Sequence, residues 1–247
     1  EYAILEYSGY GIYSNASLTF QNSQINYSGK YGLRGNSSNQ SVVIEDSEIR
    51  GTTDRALYWS GWKYTFTMKR SKIINCQNAV YVRETGTVLF EDNEMSGNEN
   101  AYIEIRDLYG DVTIKNNTWS NNKRGNLQIS NGYQDNLNIL VEGNSMIEGS
   151  GNSIDGIYVQ SMRTGTEILI QNNTIENRST AIYLQDSYNN TPKVLGNTIK
   201  GSQQGGTGIQ AHSKAKATIE NNTIENKWDG IYVTYSDANG DGSSVIK

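Results

Sequence analysis

Apolar and polar residues alternate along this chain in many short runs, such as Val42-Val43-Ile44, Thr65-Phe66-Thr67-Met68 and Val112-Thr113-Ile114. β-Branched and aromatic residues alternating at period two predict short strands with one buried face. Nowhere do a dozen residues carry the 3.6-residue period of an amphipathic helix, so the chain reads as all-β.

The runs recur. The unit is an alternating strand, then Asn-Asn-Thr-Ile or a variant, then a polar turn, then Gly-Ile-Tyr-Val or a variant, as in Asn221-Asn222-Thr223-Ile224 followed by Gly230-Ile231-Tyr232-Val233. Taking the apolar residue that closes the first motif as a marker gives Leu5, Ile25, Ile49, Ile73, Met95, Trp119, Met146, Ile175, Ile199 and Ile224, a spacing near 24 residues with small insertions. Three short strands and their turns fill such a period, which predicts a parallel β-solenoid of about ten coils over residues 1–247, one domain. At about 4.8 Å per coil the rod is about 48 Å long. The chain begins within an apolar run, Tyr2-Ala3-Ile4-Leu5, and reads as a piece of a longer protein. Unsatisfied edges at the terminal coils then predict end-to-end self-association of the piece.

Two residues before the markers lie Ser23, Ser47, Ser71, Asn93, Asn117, Asn144, Asn173, Asn197 and Asn222. Stacked coil on coil, these are expected to form an internal hydrogen-bonded ladder that satisfies the backbone where the chain bends. A small residue opens the second strand at Gly11, Gly32, Ala56, Ala79, Gly125, Gly156, Ala181, Gly208 and Gly230, indicating a tight corner. Along that strand inward Ile or Val alternates with outward residues. The first outward column reads Tyr13, Arg34, Tyr58, Tyr81, Glu104, Gln128, Tyr158, Tyr183, Gln210 and Tyr232. The next reads Asn36, Ser60, Arg83, Arg106, Ser130, Gln160, Gln185, His212 and Thr234.

The Asn-Asn-Thr-Ile and Gly-Ile-Tyr-Val units resemble the repeats of the pectin-lyase-like superfamily, over nearly the whole chain. That resemblance implies a right-handed parallel β-helix and leaves the activity open, because the superfamily holds lyases, hydrolases, epimerases, phage tailspikes and non-catalytic surface proteins. The Asp-Asp and Gly-His-Gly signatures of polygalacturonases and the Asp-Pro-His signature of mannuronate epimerases are absent here.

Composition narrows the function. A formal charge of −5 with interspersed charges argues against a nucleic-acid partner. No apolar run approaches the roughly 18 residues of a spanning helix, so membrane insertion is not expected. The one cysteine, Cys76, has no internal disulfide partner and no metal-ligand companion. The leading expectation is an extracellular, secreted or cell-surface module that binds a polysaccharide through Tyr58, Tyr81, Tyr158, Gln160, Tyr183, Gln185 and Tyr232, with Trp62 as an exposed sugar platform and Trp59 turned inward. Tyrosine stacks also stabilise a solenoid without any ligand. A second expectation is a polysaccharide lyase or hydrolase acting on an acidic polymer, with Arg83 and Arg106 neutralising a carboxylate and Glu104, Asp107 or Tyr81 moving a proton. A third is a purely structural spacer. No cofactor is required, although Asp237, Asn239 and Asp241 match the start of a calcium loop whose bidentate glutamate would fall past Lys247.

Overall fold

The computed structural model describes residues 2–147, 156–186, 188, 190–201, 205–234 and 244–247. Thirty short strands build three parallel sheets of ten strands each, and no helix occurs among the described residues. The chain visits the first, second and third sheets in turn, so neighbours in every sheet lie one circuit apart and each sheet spans nine full turns.

All ten markers take the places their spacing predicts. They sit at the centres of the first-sheet strands, from Ile4–Glu6 to Thr223–Glu225, in one unbroken register from Leu5 opposite Ile25 to Ile199 opposite Ile224. The lumen is a packed core: the markers from Ile25 to Ile199, the second-sheet row from Leu33 through Leu57, Ile103 and Ile157, and the third-sheet row from Val42 through Phe66 and Val88 are buried, while the end markers Leu5 and Ile224 pack against them partly buried. Trp59 does turn inward, where its indole N–H donates to the Ser37 hydroxyl at 2.9 Å. The buried Tyr64 hydroxyl donates to the Trp59 carbonyl at 3.1 Å, and burial pushes that phenol well above its ordinary pKa. Each large aromatic thus enters the core with its polar atom satisfied.

The internal ladder forms throughout. Asn117 is typical: its amide donates to the Phe90 carbonyl at 3.0 Å and to Asn144 Oδ1 at 3.0 Å, while its own Oδ1 accepts the backbone N–H of Asn93 at 3.0 Å. In the first three coils the serine hydroxyls accept the backbone N–H of the preceding coil but donate back to their own strand, as Ser47 does to the Glu45 carbonyl at 2.7 Å. The first asparagine of each Asn-Asn pair has a different duty. Asn116, Asn172 and Asn221 hold left-handed φ values of 54°, 55° and 56°, a conformation that asparagine tolerates, and Gly143 and Gly196 take the same place in other coils.

A second ladder, not expected from the sequence, runs one turn further along. The Cys76 N–H donates to Asn98 Oδ1 at 2.8 Å, and the Asn98 N–H to Asn122 Oδ1 at 3.0 Å, with Ser28 and Thr52 buried in the same column. Cys76 is therefore a core residue, and burial raises its thiol pKa. On the outside of the third sheet Glu45, Lys69, Glu91, Lys115 and Glu142 are successive register partners of alternating sign, with ion pairs at 3.0 Å (Lys69 to Glu91) and 3.3 Å (Lys115 to Glu142). Each partly exposed pair contributes about 1 kcal/mol or less, but a one-coil slip would set like charges opposite one another.

Replacing Asn117 by alanine strands a carbonyl and a backbone N–H inside the rod. Asn117→Ala is expected to lower stability by about 3 kcal/mol and Asn117→Ser by about half of that. Urea unfolding followed by circular dichroism reads the difference; equal losses for both variants would contradict a hydrogen-bonded role.

Candidate functional site on the second sheet

The outward face of the second sheet forms one continuous strip because its strands keep register. Tyr13, Arg34, Tyr58, Tyr81, Glu104, Gln128, Tyr158, Tyr183, Gln210 and Tyr232 are successive partners, the column read from the sequence. Gln160, Gln185, His212 and Thr234 align beside it. One member departs from expectation: Ser130 keeps its register but is buried. The fifth coil supplies its small corner residue as Ala101, and the register shifts between Asn78 and Val80 to admit one extra residue opposite.

The rings do not lie flat on this surface. Tyr58 and Tyr81 stack at 5.3 Å with planes 11° apart, and Tyr158 and Tyr183 at 4.7 Å with planes 7° apart. Their faces are turned toward each other along the rod axis, so a ligand above the strip meets ring edges and hydroxyls. The Tyr158 hydroxyl donates to Gln160 Oε1 at 2.8 Å, joining the two columns. Cations lie between the N-terminal rings: the Arg34 guanidinium is 4.9 Å from the Tyr31 centroid and 5.6 Å from that of Tyr58, and Arg55 is 4.8 Å from that of Tyr81.

The mid-rod charges come together as pairs. Arg83 Nε lies 2.7 Å from Asp107 Oδ2, Arg83 also reaches Glu84 at 3.5 Å, and Arg106 lies 2.6 Å from Glu104. Asn131 occupies the other oxygen of Asp107 at 3.2 Å, and the Asp107 side chain is only 8% exposed. Asp107 also holds the Arg83 pKa above its ordinary value. Burial, reinforced by Glu104, raises the Tyr81 hydroxyl, opposite to the shift that would make it a phenolate base. The arrangement thus joins consecutive coils and offers Glu104 and Arg106 as its half-buried polar atoms.

The edge between the second and third sheets carries an aromatic wall. Trp62 lies 4.5 Å from Tyr109, which stacks on Tyr133 at 5.4 Å. These rings come from the third, fifth and sixth coils; Trp62 and Tyr109 meet across the fourth, whose chain passes through Glu84 directly into the next strand. The Lys63 ammonium lies 5.5 Å from the Trp62 ring and 5.4 Å from that of Tyr109. Trp62 and Tyr133 are each 48% exposed, and the wall borders Glu84 and Asp107, whose charges raise the Tyr109 hydroxyl after the effect of its own burial. Trp62 had been expected as a platform from sequence; its union with Tyr109 and Tyr133 had not.

A family model described as the right-handed β-helix region matches residues 56–207, more than half of the chain. The protein belongs to the right-handed β-helix family. The usual home of this fold is the pectin-lyase-like superfamily. No curated protein and no solved structure matches the chain.

Within this β-helix the suggested calcium ligands Asp237, Asn239 and Asp241 lie outside the described residues. Among the described residues no group of three or more His, Cys, Asp or Glu side chains is placed to hold a metal ion. His212 is a neighbour of the strip: its ring lies 6.4 Å from that of Tyr183, with Nδ1 2.9 Å from the Ser213 hydroxyl.

Gly61 controls the wall. It has φ of 145°, and a Cβ there would lie 1.9 Å from the Ser37 carbonyl oxygen. Gly61→Ala is therefore expected to cost about 2 kcal/mol and to displace Trp62. The near-ultraviolet circular dichroism of the ring stack should fall along with the urea midpoint; an unchanged spectrum would show that Gly61 does not position the wall.

Proposed function

We propose that the protein is an extracellular, non-catalytic β-helix that binds a polysaccharide chain along the second sheet, with the Trp62, Tyr109 and Tyr133 wall as its sugar-stacking edge. The observation that carries this reading is the wall itself: two half-exposed rings joined through a third, next to a strip rich in hydroxyls and amides. Rigid aromatic surface costs little entropy when a ligand binds, and amides supply adaptable hydrogen bonds. Gln160 and Gln185, beside Tyr158 and Tyr183, and Tyr232 in the last coil extend the same strip beyond the mid-rod. A rigid rod with a regular repeat suits a linear polymer, which offers equivalent groups at regular intervals.

Pull-down on insoluble cellulose, xylan and pectin, together with a glycan array, tests the proposal. Trp62→Ala combined with Tyr133→Ala should lower retention at least tenfold, equivalent to about 1.4 kcal/mol, with little change in melting temperature. The wild-type protein failing to bind every glycan offered would refute the reading and favour a structural spacer.

A second reading is a lyase acting on an acidic polysaccharide. It is favoured by the grouping of Arg83, Glu104, Arg106 and Asp107 on two consecutive coils beside the wall. Unsaturated product formed from alginate or pectate, and lost in Arg106→Ala, would establish it; no product from any uronate polymer would dismiss it.

A further inference from the structure

Charge is distributed unevenly along the strip. The outward residues of its second, third and fourth strands are Tyr31, Arg34 and Asn36, then Arg55, Tyr58 and Ser60, then Asn78, Tyr81 and Arg83, with no carboxylate among them. Carboxylates enter only at the fifth strand, with Glu104. Arg83 is held by Asp107 from that coil, but Arg34, Arg55 and the neighbouring Lys30 have no ion-pair partner and no side-chain hydrogen bond to protein among the described residues. What holds them is aromatic: Lys30 lies 5.9 Å from the Tyr10 ring and 5.5 Å from that of Tyr31, Arg34 spans Tyr13, Tyr31 and Tyr58, and Arg55 spans Tyr58 and Tyr81. A concave site of about 360 Å³, lined by Tyr10, Gly11, Ile12, Tyr13, Tyr31 and Arg34, opens at one end of this array.

A guanidinium resting on a ring uses its π face and keeps its in-plane N–H groups for a ligand. Two such guanidiniums and the Lys30 ammonium on two adjacent coils, in a protein of net charge −5, form a preorganised site for negative charge. Their spacing bears on which anion. Coils rise by about 4.8 Å, so the three charges are packed more densely than one per coil. A sulfate ester presents three terminal oxygens around a tetrahedral centre, one more than the coplanar pair of a carboxylate, so one ester can face Lys30, Arg34 and Arg55 with a separate oxygen for each.

We propose that Lys30, Arg34 and Arg55, set on Tyr13, Tyr31, Tyr58 and Tyr81, form a binding site for sulfate groups of a sulfated glycan. This rests on the reading of the rod as a glycan binder, and it assigns that ligand's charge to a part of the strip separate from the Trp62 wall.

The test uses the whole chain on columns of dextran sulfate, unsubstituted dextran and polygalacturonate. Dextran sulfate should retain the protein most strongly, with retention falling steeply as salt rises. Arg34→Gln combined with Arg55→Gln should weaken retention at least tenfold, while Arg34→Lys combined with Arg55→Lys, which returns the charge without the planar N–H fork, restores only part of it at an unchanged melting temperature. Equal retention on dextran and dextran sulfate, stronger retention on polygalacturonate, or undiminished retention of the double glutamine variant would each overturn the proposal. A protein that binds xylan through Trp62 but ignores dextran sulfate would keep the broader function and lose this site.

Discussion

Everything in this molecule depends on satisfying backbone polar groups at the corners of a closed coil. A strand that turns inside a narrow rod cannot expose its N–H and C=O groups to water there, and each such group left without a partner costs about 1–3 kcal/mol. The column from Ser23 to Asn222 resolves this by having each coil supply the acceptor that the preceding coil needs. The solution works only when consecutive coils are in register, so one internal hydrogen-bonding requirement fixes the position of every outward residue. The strip on the second sheet inherits its order from the inside of the rod.

That inheritance explains how much of the molecule could be read from sequence. Markers, ladder and outward column each occupy one place in a repeat, and residues as distinctive as the asparagines of Asn-Asn-Thr-Ile reveal that place without structural knowledge. The second ladder escaped because its members are chemically mixed: Ser28, Thr52 and Cys76 share no side-chain type with Asn98 and Asn122, although all lie three residues beyond a marker. Spacing was the signal there, and residue identity concealed it.

The candidate surface was legible in which residues face outward and less so in its geometry. Alternation assigns Tyr58, Tyr81, Tyr158 and Tyr183 to the outside, but a strand pattern does not say which way a ring turns about its side-chain torsions. Here stacking between coils turns the faces along the axis. The wall escaped for another reason. Trp62 and Tyr109 lie two coils apart, and they touch because the intervening turn at Glu84 is short. Such contacts follow from loop lengths in three dimensions. The pairing of Arg83 with Asp107 likewise converts what reads as a charge cluster into a bond between coils.

The change from serine to asparagine along the ladder gives the rod a mechanical direction. A serine hydroxyl has one proton to donate and gives its shortest bond to its own coil, with Ser47 Oγ also 3.3 Å from the Phe20 carbonyl of the preceding one, so Ser23, Ser47 and Ser71 form no side-chain bond to one another. From Asn93 onward the amide has a second proton, and each side chain is tied directly to the next at 2.9–3.0 Å. A pulling force would therefore peel coils more readily from the serine end than from the asparagine end. In an elongated molecule bearing cations on its second and third coils, tension would disturb the cationic array together with Trp62, which shares the coil of Arg55, before it reached Tyr109 and Tyr133 in the asparagine-tied coils.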